Sequence, residues 1–155
     1  MNKIFKIFIF ILLGILQLTL MPIFSIKGMI PNLILIGSVI LILADFEEDA
    51  FYLAALGGLV LDLAGPFFFG FHTIFFIGFI FLIRFLLQKI VTELSTLLVL
   101  VGVFIFSLLF SVLENFFLGR LPGLNIFMYS FYSTIIGLLI FMFLQKWHRK
   151  VQVTT

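Results

Sequence analysis

Between Leu94 and Leu118 the chain carries one charged side chain, Glu114, and most of the sequence is built from stretches of the same kind. An α-helix needs about 20 apolar residues to cross the roughly 30 Å hydrocarbon core of a bilayer. Six such runs, separated by short charged or Gly/Pro-bearing breaks, use up nearly all of the 155 residues. Only 10% of the residues are charged and 64% are hydrophobic, whereas soluble domains carry about 25% charged residues. The expectation is an all-α membrane protein, a single integral membrane domain over 1–155. That leaves no room for a soluble catalytic or nucleic-acid-binding unit.

The runs predict helices over 4–26, 29–44, 50–64, 69–88, 94–118 and 124–144. The first follows Lys3 and Lys6 as a secretory signal would, but it is too long and no small-x-small cleavage site follows, so it reads as a membrane anchor. Lys27-Gly28 marks a tight turn. Pro31 falls in the first turn of the second run, where a missing N–H costs nothing. Asp45 to Asp49, "DFEED", is the only dense charge run. It reads as a solvated loop whose acids also suit the start of the next helix. Gly65-Pro66 ends the third run, and Gly119 to Gly123 separates the last two.

With six crossings, Lys3, Lys6, Arg84, Lys89, Lys146, Arg149 and Lys150 share one side, against Lys27 and Arg120 on the other. The positive-inside rule then places both termini in the cytoplasm. Merging the third and fourth runs into one crossing would put the two basic termini on opposite sides, so six crossings are expected. Trp147 reads as an interfacial anchor, and its basic neighbours as contacts to anionic lipid.

Asp62 lies well inside the third run, where a charge costs roughly 2.5–3.5 kcal/mol even on lenient insertion scales. Ala50, Ala54, Gly58 and Asp62 follow at intervals of four, which aligns them on one helix face. Small residues at that spacing form a ridge on which membrane helices pack closely. Asp62 should therefore point into protein, while Leu53, Leu56 and Val60 lie off the ridge and can meet lipid. A buried carboxylate needs hydrogen bonds or a positive partner. The candidates at its end of the helix are Lys27, Arg120, His72 and the N–H groups that open the fourth helix. Ser107, Ser111 and Asn115 form a polar stripe on the fifth helix, with Glu114 beside them. The expected arrangement is a polar cluster of Asp62, Glu114, Asn115 and Arg120, acting as structural glue.

Other chemistry is missing. With no cysteine, disulfides, thiol nucleophiles and thiolate metal sites are excluded. His72 and His148 fall on opposite sides of the expected topology. No HExxH, phosphate-cradling glycine loop or serine with a base on its own face is present. A non-enzymatic protein without metal or cofactor is expected. The net charge of +2 comes from residues at run ends, an orientation signal and not a nucleic-acid surface.

The order "IPNLILIG" (Ile30 to Gly37), a charged break, then "AALGGLVLDLAGPFFFGFHTI" (Ala54 to Ile74) resembles MreD, the rod-shape-determining membrane protein family of bacteria. In that family a Pro-acidic-or-Asn-Leu stretch opens an early helix. A Gly-Leu-x-x-Asp motif, a short turn and a helix-opening Gly follow. Pro31-Asn32-Leu33, Gly58-Leu59, Asp62 and Gly70 occupy those places. Ala54 or Ala55 stands where a glycine often precedes the motif, Gly57 is an extra small residue, and Phe67 to Phe69 fill a turn that is commonly polar. The resemblance implies six helices similar in fold to the S components of energy-coupling-factor vitamin transporters. It also implies a multi-pass protein of the bacterial cytoplasmic membrane that serves as a scaffold in cell elongation. Its partners would be an MreC-like bitopic protein and, indirectly, MreB-like filaments and peptidoglycan synthases, with a homo-oligomer left open. On that reading Ala50, Ala54, Gly57, Gly58, Asp62, Gly65, Pro66 and Gly70 serve helix packing or partner binding. The alternative is an S-component-like subunit whose outer pocket is lined by Asp62, Glu114, Asn115, Arg120 and aromatic residues.

Overall fold

Pro22 keeps the first apolar run from forming one helix to Ile26, because it has no N–H to donate and its ring crowds the preceding turn. Helix α1 (Lys3–Thr19) accordingly gives way to a 3-10 turn over Met21–Phe24. The computed structural model describes residues 3–26, 28–90, 96–120 and 123–153. Lys27 and the side chains of Lys89, Lys146, Trp147, His148, Arg149 and Lys150 lie outside what is described, and so do the roles expected of them.

The second helix is shorter than the expected 29–44. A turn at Gly28 (φ 80°) pairs Ile26 with Met29, and Asn32 then caps α2 (Leu33–Leu43) through the Leu35 N–H at 3.1 Å. Asp45 follows with φ 65°, a left-handed conformation that aspartate tolerates better than most residues. Helix α3 (Glu47–Ala64) starts three residues before the expected Ala50, with Glu47, Glu48 and Asp49 in its first turn, where the helix dipole favours acids. These acids are not simply solvated. Lys6 Nζ donates to Asp49 Oδ1 at 2.6 Å, Arg84 meets Glu47 at 3.1 Å, and Lys3 lies 3.7 Å from Glu48. Helices α4 (Phe71–Ile90), α5 (Thr96–Phe117) and α6 (Leu124–Val153) complete the chain.

The described residues form an all-helical bundle in which consecutive helices alternate in direction. One end gathers Lys3, Lys6, Arg84 and the acidic first turn of α3; the other gathers Gln17, Asn32, Asp62 and His72. Helix α3 packs against α1, α2 and α4, while α5 and α6 pair with each other and meet the rest through α2 and through ring contacts of Phe106, Phe110 and Phe117 with α4. Missing side chains allow the close approaches. A Cβ at Gly14 would lie 2.9 Å from Val60, one at Gly57 2.7 Å from Ile34, and one at Gly58 2.8 Å from the Thr73 Cα. Contact with a backbone atom cannot be relieved by a rotamer change, so Gly58 sets the α3–α4 spacing.

Leu53 differs from expectation. It is buried against α2, where its side chain would touch a Cβ at Gly37, and Val60 is covered by α1. The outward residues of the second half of α3 are Leu59 and Leu63. Three neighbouring helices enclose more of α3 than a single small-residue ridge can indicate.

The exterior is apolar as well as the core. Phe81, Leu97, Phe116, Leu124, Phe131 and Leu139 are all exposed. Among the described residues, two helices are long and apolar enough to cross a membrane, Thr96–Phe117 and Leu124–Leu144, while Leu33–Leu43 and Phe71–Leu86 are apolar but shorter.

Candidate functional site

Gly70 precedes α4 with φ 97°, a conformation that favours glycine. The position where serine, threonine or aspartate usually caps a helix therefore has no side chain. The N–H groups of the first turn would be left without acceptors in an apolar bundle. Asp62, from the last turn of α3, supplies the acceptor across the Gly65–Gly70 turn. Its Oδ1 accepts the His72 N–H at 2.7 Å and the His72 Nδ1–H at 2.9 Å. Its Oδ2 accepts the Thr73 N–H at 3.1 Å and the Thr73 hydroxyl at 2.7 Å. The Asp62 side chain is 1% exposed. It is an N-cap provided by a neighbouring helix, with its charge against the positive end of the α4 dipole.

Small residues make this approach possible. Gly58 admits the Thr73 backbone, and a Cβ at Gly65 would lie 3.1 Å from the His72 Cε1. Phenylalanines seal the region. Phe67 stacks on Phe71 with ring centroids 4.2 Å apart, and Phe67, Phe76 and Phe110 stand within 6 Å of the imidazole, at 5.5, 5.9 and 5.9 Å. Phe68 touches Phe71 and Phe117 with one side of its ring but is exposed, as are Phe69 and Pro66. Ala50 and Ala54 are fully buried further down the same helix.

The four-residue cluster expected around Asp62 does not form. His72 and Thr73 take the hydrogen bonds of its carboxylate, and none goes to Glu114, Asn115 or Arg120. Asn115 Nδ2 donates to the Ser111 carbonyl of its own helix at 2.8 Å, and the exposed Arg120 gives its N–H to the Asn115 carbonyl at 2.9 Å. The physical reason is the packing of α5, which lies on α2 and α6 and reaches α4 through its phenylalanines, but does not lie on α3. Its stripe of Ser107 and Ser111 is buried without a hydrogen bond to Asp62.

A cleft of about 270 Å³ opens at this end of the bundle, lined among others by Gln17, Asn32, Phe67, His72, Glu114 and Tyr129. Asp62 accepts from Nδ1, which puts the ring proton there, because a carboxylate can only accept. With the ring neutral, Nε2 is then an acceptor. No group of three or more His, Asp or Glu residues among those described is placed to hold a metal ion.

Two site residues escaped the sequence reading. Thr73 gives Asp62 two of its four hydrogen bonds; its place three residues after Gly70, at the third position of a helix, was the available signal. Gln17 is buried in α1, where its Nε2 donates to the Pro31 carbonyl at 2.9 Å and its Oε1 accepts the Leu33 N–H at 2.8 Å. It was legible only as a lone amide in an apolar helix. Comparison with protein-family models, curated proteins and solved structures finds no match for the chain.

Leaving a buried donor unpaired costs about 1–3 kcal/mol. Asp62→Leu should therefore destabilise the protein by about 3–5 kcal/mol, and Asp62→Asn, which keeps one acceptor, by roughly half of that. Chemical unfolding of the purified protein in detergent, followed by circular dichroism, measures both. Wild-type stability in Asp62→Leu would show that the four hydrogen bonds carry no net stabilisation.

Proposed function

We propose that the chain is a six-span protein of the bacterial cytoplasmic membrane, with both termini in the cytoplasm, that acts as a non-enzymatic scaffold of the cell-elongation machinery in the manner of MreD. The observation that carries this reading is where the family-like residues fall. Asn32 caps α2, Gly58 lets α4 touch α3, Asp62 caps α4, and Gly70 leaves the place that Asp62 fills. Each acts in helix-to-helix assembly, and Asp62 spends its acceptors on the bundle itself. A protein organised in this way presents a rigid apolar exterior suited to docking partner helices, here those of an MreC-like bitopic protein. MreB-like filaments and peptidoglycan synthases would be reached through that partner.

The six crossings and their orientation rest on the strict alternation of helix direction, the apolar exterior and the gathering of Lys3, Lys6 and Arg84 at one end. The short α2, about 16 Å at 1.5 Å per residue, fits a crossing only together with its capped, non-helical entry. Because the chain has no cysteine, single-cysteine labelling reads the orientation cleanly. In intact cells a membrane-impermeant maleimide should label Phe69→Cys and leave Glu48→Cys unlabelled until the cells are lysed. The opposite pattern would invert the topology.

The cleft beside His72 favours one further reading, a substrate-binding subunit similar to the S components of vitamin transporters. Affinity purification from the native membrane separates the two. The scaffold reading expects a bitopic partner with a long extracytoplasmic domain. Recovery of an ATP-driven transport module with a stoichiometric small molecule would overturn it.

A further inference from the structure

The cleft between the Asp62 end of α3 and the facing helices holds a ring nitrogen and a carboxylate that no hydrogen bond among the described residues uses. His72 is 7% exposed, its Nδ1 is committed to Asp62 at 2.9 Å, and Nε2 has no hydrogen-bond partner among the described residues. Glu114 is half-buried on α5 and lines the same cleft. Its carboxylate makes no hydrogen bond or ion pair among the described residues, and Arg120 acts on it only through space. A partly buried carboxylate with no partner is costly, so a fold that keeps one facing a cavity gains from a ligand that neutralises it.

The chemistry of the two groups agrees. A carboxylate only accepts hydrogen bonds, and the Nδ1-protonated imidazole offers an acceptor at Nε2. A ligand meeting both must carry N–H or O–H donors and a positive charge. Apart from the amides of Gln17 and Asn32, whose oxygens already accept backbone N–H groups, the remaining walls are apolar and aromatic, with Phe67, Phe110 and the ring of Tyr129 among them, and such faces attract a cation. Volume bounds the ligand: about 270 Å³ falls just below the usual 300–1,000 Å³ of small-molecule sites. A metal ion fits poorly, because no group of three or more His, Asp or Glu side chains gathers among the described residues, where three or more ligands are needed.

We infer that this cleft binds a small primary ammonium compound with a compact apolar body, its nitrogen held by the Glu114 carboxylate and His72 Nε2. Asp62 then has a second consequence. By fixing the imidazole tautomer and ring orientation it acts as a positioning residue for the ligand, as the outer carboxylate does behind many ligating histidines. Amine binding here is independent of partner docking, so either can fail while the other holds.

The test uses purified full-length protein in detergent, with phenethylamine as the probe and phenylethanol and phenylacetate as its neutral and acidic counterparts. Saturable binding of phenethylamine by isothermal calorimetry, with at least tenfold weaker binding of the other two, is expected. Glu114→Gln should weaken phenethylamine binding at least tenfold while leaving the far-ultraviolet circular dichroism unchanged. Because the Glu114 side chain makes no hydrogen bond or ion pair among the described residues, this variant is expected to fold. His72→Phe supplies the second arm, with amine binding lost and the apolar wall retained. Equal binding of the three compounds, wild-type affinity in Glu114→Gln, or no saturable binding of the amine would each overturn the assignment.

Discussion

Four hydrogen bonds from the first turn of α4 to one carboxylate of α3 hold the centre of this bundle. A charge at membrane depth would cost roughly 2.5–3.5 kcal/mol, and hydrogen bonds to a charged group contribute about 1.5–3 kcal/mol each. Two of the four that Asp62 accepts from His72 and Thr73 are therefore enough to offset its burial. The remainder, with the dipole of α4 behind them, fix the geometry. Helix α3 in turn contacts α1, α2 and α4, so the junction at Asp62 sets the relative placement of four of the six helices. Gly58, Gly65 and Gly70 are subordinate to it: two clear space for α4, and the third leaves the capping position empty.

The other end of the bundle is built on a different principle. There the acids Glu47, Glu48 and Asp49 meet Arg84, Lys3 and Lys6; the Glu47 and Glu48 pairs are exposed, and Lys6–Asp49 is partly buried. Exposed ion pairs contribute little stability, about 0–1 kcal/mol. Their effect is to hold the starts of α1 and α3 and the later part of α4 in register. The bundle is thus locked at the Asp62 end by buried, charge-assisted hydrogen bonds and aligned at the other by surface charge.

Much of this was legible in the sequence, because apolar runs and Gly/Pro breaks are local signals. The all-helical class, the break at Gly65-Pro66 and the acidic start of α3 follow from residue type alone. So did a list of partners for Asp62 that contained His72 and the opening N–H groups of the fourth helix. The cluster with Glu114, Asn115 and Arg120 was wrong for a physical reason. Spacing on α5 tells which residues share a face, not which helix that face meets, and α5 meets α2, α6 and, through its phenylalanines, α4. The early end of α1 at Thr19 was legible in Pro22 and was overridden by hydropathy, which does not register a missing N–H. Thr73 and Gln17 escaped because one polar residue in an apolar run gives no periodicity; their roles depend on a neighbour distant in sequence.

Hydrogen–deuterium exchange resolved to the first turn of α4 tests the capping role of Asp62 most directly. In the wild-type protein the His72 and Thr73 amides should exchange slowly, as slowly as amides in the interior of α4. In Asp62→Leu their protection should collapse by at least a hundredfold, while the α5–α6 pair keeps its own. Equal protection of His72 and Thr73 with and without the carboxylate would contradict the claim that Asp62 caps α4.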